Sequence, residues 1–140
     1  VLVAVLSTVL YVALVIAVWG FITLATGSDV VWESGVSPLA GPSMVAAASA
    51  VVVLSVLFSL RGFTGRPPVA RAMIAGALVY LLAPAVGGII VGLDRVDAAA
   101  ALLFAAARAT GPFVPAAAIV AVLLVLAVPP VLALGDRASR

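Results

Sequence analysis

The sequence has 140 residues, 66% of them hydrophobic and 9% charged, with a mean hydropathy of +1.43 and a formal net charge of +2. A water-soluble domain carries roughly 25% charged and 45–50% apolar residues, and a short chain leaves much of its surface in water, so an ordinary soluble fold is excluded. The chain has no Cys, His, Lys, Asn or Gln, which removes disulfides, thiolate and imidazole chemistry and the usual haem and iron–sulfur ligands.

A helix crossing the hydrocarbon core needs about 20 mostly apolar residues. The expected fold is all-α, an integral membrane four-helix bundle forming a single transmembrane domain over residues 1–140. Its first span runs from about Val1 to Ala25 without a charge and ends at Thr26-Gly27-Ser28-Asp29, residues suited to leaving a helix. That run exceeds the ~7–15 apolar residues of a signal peptide, so it is expected to be retained, with a short cytoplasmic leader ahead of Val1. Beyond it, Asp29, Val31, Trp32 and Glu33 mix acids with apolar side chains. With Trp19 they are the candidate contacts for a membrane protein partner.

The second span covers about 43–60, after Gly41-Pro42, because Pro fits a first helical turn. The third covers about 72–93 and contains Pro84, which removes a backbone donor. From Ala98 to Leu134 the chain is apolar except for Arg108 and Thr110, too long for one upright span. Gly111-Pro112 predicts a break, giving a short outer surface helix over about 96–109 and a last span over about 113–134, with Asp97 ahead of the Ala-rich run as its cap. Arg108 then lies at the water interface. A single Pro-kinked span from Ala99 to Val128 is the competing arrangement, and it would carry Arg108 about ten residues deep, at roughly 2.5–3.5 kcal/mol near the centre.

The charges act as an orientation signal. Arg61, Arg66, Arg71, Arg137 and Arg140 share one side with Asp136, whereas Asp29, Glu33, Asp94, Arg95, Asp97 and Arg108 fall on the other. Positive residues stay in the cytoplasm, so both termini are expected inside a bacterial plasma membrane. The seven Arg are too scattered for a nucleic-acid patch.

Helices in lipid associate through close backbone contact, which favours small residues four apart. Ala72 and Gly76, Ala83 and Gly87, and Gly88 and Gly92 offer this on the third span, and Ala13 with Ala17, Ala46 with Ala50, and Ala117 with Ala121 offer it elsewhere. These serve internal packing or a partner helix. No nucleophile–base pair, intramembrane carboxylate or metal-ligand cluster is legible, so no enzyme, cofactor, metal or small-molecule substrate is expected. The first span also lacks the Glu on which the small multidrug exporters rely.

Two hairpins, Leu10-Tyr11 in the first span, Trp32 in a short outer loop and an Arg-rich inner loop from Arg61 to Arg71 make the chain look like small actinobacterial membrane proteins of unknown function. Its first hairpin is loosely similar to that of the four-helix subunit of actinobacterial cytochrome oxidase, but the aromatic-rich motif that precedes that subunit's third helix is missing. The expected role is a non-catalytic accessory subunit of a larger plasma-membrane complex, a respiratory supercomplex being one host, with membrane lipids and other integral membrane proteins as partners. The alternative is a small oligomeric transporter or channel with Arg108 as an anion-interacting residue.

Overall fold

The structure is a computed structural model that describes residues 2–27, 38–61, 65 and 67–138, with side chains described as far as residue 130. Its described residues form helices α1 (Leu2–Thr26), α2 (Ala40–Leu60), α3 (Pro68–Arg95), α4 (Ala98–Thr110) and α5 (Phe113–Ala138), with no strand among them. Four of these, α1, α2, α3 and the Phe113–Pro130 part of α5, are long and apolar enough to cross a membrane.

Helix ends follow local chemistry. Gly27 leaves α1 with φ +65 and donates to the Thr23 carbonyl, a left-handed stop that Gly adopts without strain. α3 starts at Pro68, earlier than hydropathy indicates, because Pro at the first turn forgoes a donor that has no helical partner anyway. It ends at Val96, which takes the left-handed conformation (φ 51), while the Asp97 N–H reaches back to the Gly92 carbonyl. Asp97 then caps α4, its Oδ1 accepting from the Ala99 N–H at 2.8 Å.

Around the bundle, α1 packs on α2 and α5, α3 packs on α2, α4 and α5, and α1 and α3 are diagonal to each other. The centre is filled by Tyr11, Val15, Met44, Ala48, Ala83 and Val114 among others. Tyr11 is fully buried and donates from its hydroxyl to the Ala117 carbonyl, giving the phenol a partner in the apolar interior.

The placement of α4 differs from a helix laid flat across the end of the bundle. A Cβ on Gly92 would meet Ala101, one on Gly88 would meet Ala101 and Ala105, and the Tyr80 hydroxyl donates to the Ala109 carbonyl at 3.0 Å. Contacts therefore advance along α4 as they retreat along α3, so the two helices lie side by side and antiparallel. The same register puts the Gly111 break level with Leu82, near the middle of α3. α5 continues down the other half, where Gly76 faces Ala118 and Val122, and Ala72 packs with Val125. Together α4 and α5 form one discontinuous column against α3, combining the break of one sequence arrangement with the depth of the other. The physical reason is the glycine face of α3, which lets the α4 backbone approach where larger side chains would hold it off.

Candidate functional site

An interrupted helix leaves backbone groups without intrahelical partners, and in an apolar medium each must find one. At the α4–α5 break several of them do. Thr110 Oγ1 donates to the carbonyls of Ala106 and Ala107, the Gly111 N–H to Arg108, and Tyr80 to Ala109. On the α5 side Pro112 and Pro115 have no N–H to satisfy, and the Ala116 N–H donates to the Pro112 carbonyl. From α1, Trp19 Nε1 donates to the Phe113 carbonyl at 2.9 Å, and its ring meets Phe113 edge to face at 6.0 Å. The break is thus a built feature, braced from α1 and α3.

Above it, at the Asp97 end of the bundle, lies a cavity of about 610 Å³ lined by Val91, Arg95, Asp97, Leu103, Phe104 and Arg108 among others. Arg108 sits eleven residues beyond Asp97, about 16 Å along the helix axis. Its guanidinium carbon stands 5.2 Å from the centre of the Phe104 ring, one turn back towards the Asp97 end. The aliphatic stem thereby lies along apolar helix and the charge points to the cavity, with a cation–π contact worth ~1 kcal/mol or more once desolvated. Arg95 adds a second cation at the rim, and Asp97 commits a carboxylate oxygen to its cap. Two guanidinium groups against the one Asp97 carboxylate leave the lining net positive, which suits an anion. A hollow of about 600 Å³ between α3 and α5, lined by Met73, Tyr80, Ile119 and neighbours, has no charged residue in its lining.

The remaining sequence candidates distribute as follows. Ala72, Gly76, Ala83, Gly87 and Gly88 are buried and Gly92 is half-buried. Gly87 faces Met44 of α2 and Phe104 of α4, so the glycines of α3 are occupied by neighbouring helices of this same chain. Ala117 and Ala121 are buried, but Ala13, Ala17, Ala46 and Ala50 are exposed. Trp19 is half-buried and braces α5. Asp29, Val31, Trp32 and Glu33 lie outside the described residues. Sequence reasoning missed Tyr80, Thr110 and Phe104 as parts of the site, and the signal that could have found them is their spacing around the Gly111-Pro112 break and Arg108.

No similar curated protein and no similar solved structure was found. Residues 1–139 match one family throughout, and the chain belongs to that family, a family of unknown function (DUF6121).

Proposed function

We propose that this chain is a non-catalytic, multi-pass protein of the bacterial plasma membrane, and that its working site is the Arg95–Arg108 cavity, which receives an anionic group. The observation that carries this reading is Arg108, held about 16 Å along α4 from its cap with its charge turned into a cavity over Phe104. A cation at such depth is costly in a membrane and marks a pathway or binding site by default. The Arg distribution supports cytoplasmic termini, which opens the cavity to the opposite face. The test is thermal stability of the purified protein in phosphate, sulfate and chloride at matched ionic strength. A bound anion at 100 times its dissociation constant stabilises by about 2.7 kcal/mol, and Arg108→Gln should abolish the effect while Arg108→Lys keeps part of it. Identical melting in every anion, unchanged by Arg108→Gln, overturns the reading.

A second reading, an accessory subunit of a larger membrane complex, is favoured by α1. One side of that helix packs on α2 and α5, while Ala13, Ala17 and Gly20 are exposed and a Cβ on Gly20 would have open space. Small residues exposed in this way fit the close approach of a foreign helix. Tagged purification in mild detergent should recover a stoichiometric membrane partner, lost in Ala17→Leu. Recovery of the lone protein counts against it.

A further inference from the structure

A separate groove runs along α2 and α3 at the opposite end of the bundle from the Arg108 cavity. It encloses about 330 Å³ and is lined by Leu54, Phe58, Ile74, Leu78 and Leu82 among others, with Arg71 at one end. Arg71 Nε is buried and has no hydrogen-bond partner among the described residues. A guanidinium N–H without an acceptor is expensive in an apolar setting. Arg71 as a whole is only half-buried, so an acceptor oxygen from outside the chain reaches the guanidinium through its exposed part rather than at Nε.

The shape of the groove says what carries that oxygen. From Arg71 to Leu82 is eleven residues, about 16 Å along the helix, close to half the ~30 Å hydrocarbon core. An acyl chain of one leaflet has this reach. Arg71 lies in the lining at that end and no acid does, so the polar end of the groove is positive, as in the basic pockets between spans that bind anionic headgroups. A partner helix would bring apolar side chains to the Arg71 donor, and a free anion would leave the apolar length of the groove unfilled.

We propose that this groove holds one anionic phospholipid, its phosphate accepting from Arg71 and one acyl chain lying along Ile74, Leu78 and Leu82. Native mass spectrometry of the full chain, given equal phosphatidylglycerol and phosphatidylcholine, tests it directly. The expected result is at least about tenfold preferential retention of one phosphatidylglycerol, reduced in Arg71→Gln, largely kept in Arg71→Lys, and reduced in Leu78→Trp, which fills the groove without touching the charge. Inorganic phosphate at millimolar concentration should not displace the lipid. Equal retention of the two lipids by the unmodified protein overturns the proposal, even if no variant folds. Retention unchanged in Arg71→Gln, or displacement by phosphate alone, overturns it as well.

Discussion

Val96 is a β-branched residue in the left-handed region, 92% exposed, at the two-residue link between α3 and α4. That conformation costs a residue with a Cβ roughly 1–2 kcal/mol, partly offset by the unfolded-state freedom that Gly would add, about 0.4–1 kcal/mol. Val96→Gly should therefore raise stability by ~0.5–1 kcal/mol in a detergent melt, and a lower melting temperature would show that the link is not strained. Ser49 offers a second residue-scale test. Its Oγ is buried without a partner among the described residues, whereas Ser43 and Ser59 donate to the carbonyls of Ala40 and Ser55. Removing an unpaired hydroxyl removes a desolvation penalty, so Ser49→Ala should be neutral to stabilising by up to ~1 kcal/mol, and more favourable than Ser59→Ala in the same assay. At this scale the sequence was legible where one side chain acts on its own neighbours, as Asp97 does in capping α4. It was silent on Trp19 and Phe113, whose contact closes a separation of 94 residues.

The α3–α4 contact rests on two glycines. A side chain at Gly88 would meet the Ala101 carbonyl oxygen at 2.7 Å, a backbone atom that cannot swing aside, and Gly92 is pressed by Ala101 itself. Gly88→Val should displace α4 and cost ~2 kcal/mol or more, in the range of overpacking, whereas Gly20→Ala, with open space around it, should be harmless or slightly stabilising. Limited proteolysis and melting of the two variants side by side check this, and equal tolerance would mean that α4 is not held by the glycine face. That the chain holds four long apolar helices was readable, because length and hydropathy suffice to identify them. The depth of α4 was not, and the reason is physical. In water a helix advertises its inner face by polarity, but here both faces are apolar: Val15 is buried beside exposed Ile16, and Val52 is buried two residues before exposed Leu54. Spacing of small residues does not settle the matter either, since Gly88 and Gly92 are engaged while Ala13 and Ala17, at the same interval, are exposed.

At the scale of the molecule, α1 is the least enclosed of the four long helices, with 22% of its most apolar stretch buried against 50% for α5. Two long-range hydrogen bonds, from Tyr11 and Trp19, fasten it to α5. Such bonds in membrane proteins average about 0.6 kcal/mol, so replacing both residues by Phe should cost ~1–2 kcal/mol and lower the melting temperature more than either change alone; unchanged melting would assign the fastening to van der Waals packing. The discontinuous column has a consequence for how the chain enters a bilayer. α4 has 13 residues, about 20 Å of helix, too short to bridge the hydrocarbon core and with a cation near its end. A helix of this length does not cross a bilayer by itself. Its entry is expected to follow that of α3, whose glycine face and Tyr80 hydroxyl it packs against, with α5 completing the crossing. Synthesis halted after Thr110 should leave α4 accessible to water-soluble labels, and synthesis continued through α5 should protect it.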